Sequence, residues 1–274
     1  MNERLAMIKK IIPYNLFILC FILSCNTFAE ENSTLDINVS KVFNTEADPY
    51  KYICNQRILR KGIKSLWLWS YPMKSTGVFI TPNIILTNAH NTHSNFFSYI
   101  TKVTITPAKN GDIEPFGNHT ILGRKNLKNL IKVPKEYGFS QKAKKRAKYD
   151  YALIYLPDAN FYQNSDSGNI FTYGKCIDYA KEDDSISICG YPGKPKSGIE
   201  QYYGDGSLEK IKDKTILHNF WTATGNSGSP IWVNADGRKV VIGVHCFPKK
   251  ATRIDQEVYD NITYWINEFE HLPH

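Results

Sequence analysis

Short apolar runs separated by turn signals fill the chain from residue 50 onward, and this pattern most limits the folds that it can adopt. The runs are rich in Val, Ile, Tyr, Phe and Trp, which favour strands. Turn-forming clusters such as YPG at 191–193 and NADG at 234–237 separate them. Many short strands spaced by turns predict an all-β barrel or sandwich. The predicted strands are 65–70, 76–80, 84–87, 99–106, 151–155, 185–189, 215–219, 230–233 and 240–244.

One helix is predicted near the C-terminal end, within 255–270. Apolar residues recur there at helical spacing and would form a single face. We expect this face to pack on the β core, with 255–274 as a C-terminal helix and tail. The residues of the face are Val258, Ile262, Trp265, Ile266 and Phe269.

The first 29 residues have the pattern of a secretory signal peptide. A basic region precedes a largely apolar run at 11–24, which is short for a membrane span, and TFA at 27–29 predicts cleavage after Ala29. Two alternatives stay open, namely a lipoprotein anchored through Cys25 and an uncleaved anchor. Residues 30–48 are polar and predict a flexible arm or a short pro-segment. The predicted location is secreted or periplasmic.

Four cysteines follow the predicted signal, namely Cys54, Cys176, Cys189 and Cys246. In an exported protein they suggest two disulfides with three possible pairings, and buried free thiols are the alternative. None has the spacing of a metal site, so neither a metal nor a cofactor is predicted. The net charge of +8 is modest and scattered; it could attract acidic substrates or anionic surfaces, and it does not by itself indicate nucleic-acid binding.

Nucleophilic chemistry is predicted at Ser227, in the segment TGNSGSP at 224–230. A serine hydroxyl needs a base at hydrogen-bond distance and donors for the oxyanion that its attack creates. Gly225 and Gly228 allow the backbone to turn tightly around Ser227. The N–H groups of Gly225 and Ser227 can then form an oxyanion hole from the main chain.

A base and its orienting carboxylate are predicted at His90 and Asp150. His90 follows the apolar run at 84–87 by three residues, so a strand would lead into it and hold its imidazole at a rigid edge. Asp150 begins the apolar run at 151–155 and would orient and stabilise the imidazole. The order His, Asp, Ser along the chain is stronger evidence than any of the three alone.

Taken together, these segments resemble the chymotrypsin-like serine peptidases and, within them, the bacterial glutamyl endopeptidases. The resemblance implies two six-stranded antiparallel β-barrels, at 49–165 and 166–254, with the active site between them and the C-terminal helix behind. The matching segments are PY at 49–50, TGV at 76–78, LTNAH at 86–90, DYALI at 150–154, GYPG at 190–193, TGNSGSP at 224–230, IGVH at 242–245, TRI at 252–254 and WI at 265–266.

The resemblance also implies a specificity. Thr222 and His245 occupy the places that bind a substrate glutamate side chain in glutamyl endopeptidases. The segment after His245 departs from the family, because Cys246, Phe247 and Pro248 stand where an aromatic residue followed by glycines usually pairs with the substrate backbone. Pro248 removes one backbone donor from that edge, and Phe247 would narrow the cleft.

The sequence therefore predicts a secreted, monomeric serine endopeptidase that cleaves proteins or peptides through an acyl-enzyme, with a preference for Glu or Asp before the cut. No nucleic-acid partner and no membrane span after signal removal are predicted. The alternative is a catalytically idle, secreted protein of the same fold that binds a host or envelope protein.

Overall fold

The computed structural model describes residues 39–66, 68–94, 97–139, 146–159, 161–162, 170–194 and 197–272. These residues belong to one compact unit, Ile37–His274. The predicted signal and the first part of the polar arm lie outside the described residues.

The N-terminal barrel is a curled sheet of seven antiparallel strands in the order β6-β5-β2-β3-β4-β8-β7. Its longest strands, β2, β3 and β5, carry many buried Ile, Val and Phe side chains, and consecutive residues such as Val78, Phe79 and Ile80 are buried on both faces of β3. The strands are β2 (Ile53–Gly62), β3 (Tyr71–Thr81), β4 (Ile84–Thr87), β5 (Ser98–Pro107), β6 (His119–Leu122), β7 (Ile131–Lys132) and β8 (Ala152–Tyr155).

The C-terminal barrel closes through six strands in the order β11-β10-β13-β14-β15-β12, because β12 pairs again with β11. Two short strands, β1 (Val39–Lys41) and β9 (Thr172–Tyr173), add to β11 and β14. The closed strands are β10 (Ser185–Gly190), β11 (Tyr202–Ile211), β12 (Thr215–His218), β13 (Pro230–Ala235), β14 (Arg238–Phe247) and β15 (Lys250–Arg253).

The segment that begins with β1 joins the two barrels. Lys41 forms an ion pair with Glu200, with Nζ 2.9 Å from Oε1. Thr45 then donates its hydroxyl to the carbonyl of Ala108, just after β5 of the other barrel, at 2.7 Å. The end of the predicted polar arm is therefore an ordered strap.

Helices are few in the described part of the chain. The four short ones are α1 (Ala89–Thr92), α2 (Arg124–Leu130), α3 (Lys135–Phe139) and α4 (Cys176–Tyr179), with 3-10 turns at Tyr50–Tyr52 and Ile63–Ser65. No helix among the described residues is long and apolar enough to cross a membrane.

The predicted C-terminal helix is confirmed as α5 (Gln256–Glu270). The carboxylate of Asp255 caps it by accepting the N–H of Val258 at 2.9 Å. Its apolar face is buried, with Trp265 stacked on Tyr151 and Phe269 on Tyr155. The helix therefore packs against the start and end of β8.

The predicted fold class is confirmed, with one closed six-stranded barrel, one curled seven-stranded sheet and the C-terminal helix. One predicted strand, 65–70, is wrong: the buried Ser65 ends a 3-10 turn, and the described residues after it form no strand and leave Leu66, Leu68 and Trp69 exposed, although such apolar residues favour a strand. Two long strands were not predicted, β2 and β11, because their Lys, Arg, Gly and Asp residues hide the alternation of burial.

The predicted disulfides are not found. All four cysteines beyond the predicted signal are buried free thiols. Cys54 and Cys189 belong to one apolar cluster and Cys176 to the other, while the thiol of Cys246 lies 3.6 Å from the carbonyl oxygen of Lys250. Each thiol fills core space in its own element, as a small apolar side chain does.

Candidate active site

The strand pairing of the N-terminal barrel brings His90 and Asp150 together. β4 and β8 are adjacent, with Thr87 opposite Ala152, and the two residues lie just beyond that pair. Asp150 is buried, with 1% of its side chain exposed. Its Oδ2 lies 2.7 Å from Nδ1 of His90, and its Oδ1 accepts the backbone N–H of His90 at 2.8 Å.

This double contact fixes the imidazole. An ionised Asp150 accepts the Nδ1 proton, so Nε2 is left with its lone pair and can act as a base. The His90 side chain is 27% exposed, and Nε2 lies 3.4 Å from Nδ2 of Asn88. The pair therefore has the geometry of an oriented general base at the surface.

Ser227 lies in the tight loop before β13, and its residue is half-buried. The loop needs two glycines. Gly225 has φ of +103° and Gly228 of +89°, and a Cβ at Gly228 would lie 2.1 Å from the Thr76 carbonyl oxygen and 2.4 Å from the Thr87 hydroxyl. Thr87 is three residues before His90, so the serine loop packs directly on the strand that leads to the base.

Thr76 on β3 joins the serine loop to the N-terminal barrel. Its N–H donates to the Ser227 carbonyl at 2.9 Å, and its hydroxyl donates to the Gly225 carbonyl at 2.8 Å. The same hydroxyl accepts the N–H of Tyr191 at 3.0 Å. One buried threonine thus fixes the loop on both sides of the serine.

The peptide between Thr224 and Gly225 is held in one orientation. The Thr224 carbonyl accepts the N–H of Gly193 at 2.5 Å. In a trans peptide the carbonyl and the next N–H point in opposite directions, so the Gly225 N–H faces away from Gly193. Among the described residues, neither this N–H nor that of Ser227 has a hydrogen-bond acceptor.

A buried histidine pair lies in the C-terminal barrel. Nδ1 of His245 on β14 lies 3.2 Å from Nε2 of His218 at the end of β12. Burial lowers the pKa of His218 to about 4, and burial together with His218 holds the pKa of His245 well below its ordinary value. Both rings are therefore neutral at neutral pH. Thr222 is half-buried in the segment between β12 and β13.

A comparison with protein-family models shows which family the chain belongs to. The model of the trypsin family matches residues 63–266, well over half of the chain. The chain belongs to the trypsin family. As a family member it is a serine-type endopeptidase, similar to glutamyl endopeptidases.

Two bacterial relatives lie close to the chain in sequence. A glutamyl endopeptidase of Bacillus licheniformis is 24% identical over 241 residues, which cover 83% of this chain and 67% of the relative. A protein of Bacillus subtilis named extracellular metalloprotease is 23% identical over 201 residues. That match covers 70% of this chain, which spans 58% of that relative's length.

Solved structures share the fold. A Glu endopeptidase in complex with MPD has a TM-score of 0.64 at 22% identity, over 84% of this chain and 97% of that one. A thermostable serine protease, AL20 from an extremophilic microorganism, has a TM-score of 0.60 at 13% identity, over 78% and 96%. Protease Anisep of Arthrobacter nicotinovorans has a TM-score of 0.55 at 15% identity, over 77% and 94%.

This trypsin-family member has a short hairpin beside its histidines. β14 ends at Phe247, and the chain turns back through Pro248 and Lys249 into β15, with Phe247 paired to Lys250. The Phe247 ring lies 6.3 Å from the His90 ring, tilted by 30°. The Phe247 side chain therefore stands beside the imidazole of His90. That it narrows the cleft stays a prediction.

Two site residues escaped prediction from the sequence. His218 sits at the end of a predicted strand and alternates with Ile216, so its inward direction could have been read from the period of two. Thr76 lies in a segment that resembles the family, but no local pattern reveals that its hydroxyl contacts a loop 149 residues away.

Proposed function

We propose that this protein cleaves peptide bonds through an acyl-enzyme, with Ser227 as nucleophile, His90 as base and Asp150 as the residue that orients His90. The proposal rests on one observation above all. The paired His90 and Asp150 stand at the end of the strand on which the loop of Ser227 packs.

The chemistry would run in two halves. His90 Nε2 accepts the Ser227 proton as the serine oxygen attacks the peptide carbonyl carbon. The imidazolium then gives this proton to the amide nitrogen, the C–N bond breaks and the amine product leaves. Water attacks the acyl-enzyme by the same route and releases the acid product and the free serine.

The N–H groups of Gly225 and Ser227 would stabilise the oxyanion of each tetrahedral intermediate. Both groups lack an acceptor among the described residues, and Thr224 is held in place by Gly193. Donors that are fixed before the reaction cost no reorganisation when the charge develops.

We also propose that the protein prefers Glu or Asp before the cut, bound by Thr222 and His245. When His218 donates its Nε2 proton to Nδ1 of His245, the Nε2–H of His245 remains available for a carboxylate. A hydrogen bond to a charged group contributes about 1.5–3 kcal/mol, which corresponds to roughly 10- to 150-fold discrimination.

We propose export from the cytoplasm, with removal of the signal after Ala29. Support comes from the sequence pattern of the first 29 residues and from a relative that is named extracellular. Mass spectrometry of the mature N-terminus tests this proposal: Glu30 supports cleavage, a lipidated Cys25 supports an anchored form, and an intact Met1 contradicts export.

Labelling with a fluorophosphonate tests the nucleophile directly. We expect one adduct on Ser227 in the wild-type protein, none in Ser227→Ala, and a much slower reaction in His90→Ala. A properly folded wild-type protein that stays unlabelled would favour the idle binding protein. A digest of a peptide library then tests specificity, and the absence of Glu and Asp before the cuts would remove that part of the proposal alone.

A further inference from the structure

An exposed apolar patch lies at one end of the N-terminal barrel. It consists of Ile63, Leu66, Leu68, Trp69 and Phe97, whose exposed fractions range from 55% to 71%. We call this group the loop patch. Soluble proteins rarely leave several large apolar side chains exposed together, and such patches commonly mark an interaction surface.

The loop patch is built by two connected loops. The N–H of Ile63 donates to the Phe97 carbonyl at 3.0 Å, which holds the loop after β2 against the loop before β5. Within the first loop, Leu68 N–H donates to the Ser65 carbonyl at 2.8 Å, and Leu66 adopts the left-handed conformation with φ of 44°. The exposed side chains are thus presented by hydrogen-bonded turns.

A buried arginine ties this region to the active site. Arg60 on β2 donates from Nη1 to the Asn91 carbonyl at 2.8 Å and from Nε to the Ser98 hydroxyl at 3.0 Å. Asn91 directly follows His90 in α1, so this one arginine contacts both the helix that carries His90 and the start of β5 next to Phe97. The two features therefore lie at the same end of the barrel.

The charge of the chain is strongly divided between the barrels. Residues 49–156 contain 18 Lys and Arg against four Asp and Glu, a formal net charge of +14. Residues 157–274 contain 12 Lys and Arg against 16 Asp and Glu, a formal net charge of −4. The prediction that the charge is scattered is therefore wrong, because the N-terminal barrel carries all of the positive excess and the rest of the chain is net negative.

Basic residues lie next to the loop patch. Lys61 is half-buried on β2 opposite Tyr99, and the guanidinium of Arg124 lies 5.1 Å from the centre of the Tyr99 ring. Lys125 and Lys128 follow, exposed, on α2. No Asp or Glu occurs anywhere between residues 49 and 111. The loop patch is thus bordered by Lys and Arg, and the stretch of sequence that contains it has no acidic residue.

We propose that the loop patch and its basic border dock this protein on an anionic phospholipid surface. Exposed Leu, Trp and Phe partition into the boundary between headgroups and acyl chains, and Lys and Arg are attracted to anionic headgroups. An acidic protein would match the charge, but it would not by itself account for five large apolar side chains on protruding loops. The lipid surface matches both features.

This docking is peripheral and does not depend on the proposed catalytic activity. It would bring the end of the barrel that carries His90 close to the lipid surface, so substrates there would be cleaved in preference to those in bulk solution. Binding and cleavage can be measured separately, so that failure of either proposal is recognisable.

Co-sedimentation with vesicles tests the docking. The purified full chain is mixed with vesicles of equal parts phosphatidylglycerol and phosphatidylcholine, or of phosphatidylcholine alone. We expect at least about tenfold stronger association with the anionic vesicles, and a marked decrease when salt screens the headgroups.

A pair of matched variants isolates the loop patch. Leu68→Ser/Trp69→Ser removes one aliphatic and one aromatic side chain from it, and we expect roughly tenfold or greater loss of association. Ile177→Ser/Tyr264→Ser removes the same types, at similar exposure, from the C-terminal half and should change nothing. Any background contributed by residues 1–38 is common to both variants.

Three results would overturn the proposal. The first is equal association of the wild-type chain with both kinds of vesicle. The second is equal association of the two double variants with anionic vesicles. The third is a patch variant that binds vesicles as the wild type does but cleaves a soluble protein poorly in the absence of lipid. The last result would instead assign the loop patch to a protein partner.

Discussion

The two barrels hold their parts of the active site in different ways. In the N-terminal barrel, His90 and Asp150 meet because their strands, β4 and β8, are neighbours in one sheet. In the C-terminal barrel, the loop of Ser227 is held from two sides: the Gly228 N–H donates to the His245 carbonyl of its own barrel at 2.9 Å, and Thr76 of the other barrel bonds to Ser227 and Gly225. The acid–base pair thus depends on local strand register, whereas the serine depends on its own barrel and also on how the barrels fit together.

This difference suggests that the two halves fail in different ways. A change in the pair of His90 and Asp150 should remove chemistry and leave the fold intact. A change at the contact between the barrels should weaken both the fold and the chemistry. Four substitutions test that division, from the largest expected effect to the smallest.

The largest effect is expected at the nucleophile. Ser227→Ala should lower kcat by about 10⁶-fold, and His90→Ala by a similar factor, without further loss in the double variant, because the two residues act as a unit. Rates of peptide hydrolysis measure this. The matched control is Ser229→Ala, two residues away, whose hydroxyl has no partner among the described residues and whose loss should leave most of the activity. Wild-type rates in Ser227→Ala would refute the assignment.

Asp150→Asn should lower kcat by about 10⁴-fold: the amide oxygen keeps the backbone N–H of His90, so the amide NH2 faces Nδ1 and donates to it, and the imidazole adopts the wrong tautomer. The thermal unfolding midpoint should change little although the rate falls by orders of magnitude. The exposed Asp158→Asn serves as the control. The loss of an orienting carboxylate is expected to lower the rate by about 10⁴-fold. A rate within tenfold of wild type would therefore mean that the contact between His90 and Asp150 has only a structural role.

The histidine pair predicts a dependence of stability on pH. The pKa of His218 is about 4 in the folded protein and 6.5 when unperturbed, so the unfolded state binds a proton first as the pH falls. The contribution of His218 to the free energy of unfolding is therefore complete at pH values above 6.5. It decreases by about 3 kcal/mol as the pH falls to the pKa of about 4 that His218 has in the folded protein. Urea unfolding at several pH values measures it.

His218→Gln should flatten this dependence, whereas the exposed His271→Gln should leave it as in the wild type. An unchanged slope in His218→Gln would show that His218 binds a proton as readily in the folded as in the unfolded protein, which contradicts a pKa lowered by burial. If the pair also serves specificity, the same variant lowers kcat/KM for a glutamate substrate more than for its glutamine analogue.

The smallest effect is expected at the contact between the barrels. Thr76→Val removes the hydroxyl that Gly225 and Tyr191 share, and we expect a loss of about 2 kcal/mol in the free energy of unfolding, together with a lower kcat. Thr76→Ser keeps the hydroxyl and should restore most of both quantities. If Thr76→Val lowered the free energy of unfolding but not kcat, this contact would not be needed to position Ser227 for catalysis.

The sequence predicted those features that depend on neighbouring residues. His90 and Asp150 each lie at the end of an apolar strand, and the face of α5 follows helical spacing. Each barrel has one long strand that was not predicted, β2 in the first and β11 in the second, which contains Gly204, Asp205 and Gly206 in its middle. The contact between Thr76 and the serine loop has no sequence signal, because it joins residues far apart in the chain.

The run at 65–70 shows why composition alone misleads. Its Leu and Trp residues favour a strand, but β2 ends at Gly62, where a Cβ would lie 2.3 Å from the Phe97 carbonyl oxygen. The close approach of that second loop ends the pairing and turns the following residues outwards. The same close contact makes Gly62 a position where a larger residue would disrupt the loops.

The strap between the barrels limits how this protein can be processed. Residues 39–45 supply an edge strand to one barrel and a hydrogen bond to the other, so a cut downstream of Thr45 would leave β11 with a bare edge and detach a tie between the halves. Cleavage after Ala29 preserves every one of these contacts. Loss of residues 39–45 would therefore remove contacts to both barrels, and we expect the protein to keep this segment when its N-terminus is processed.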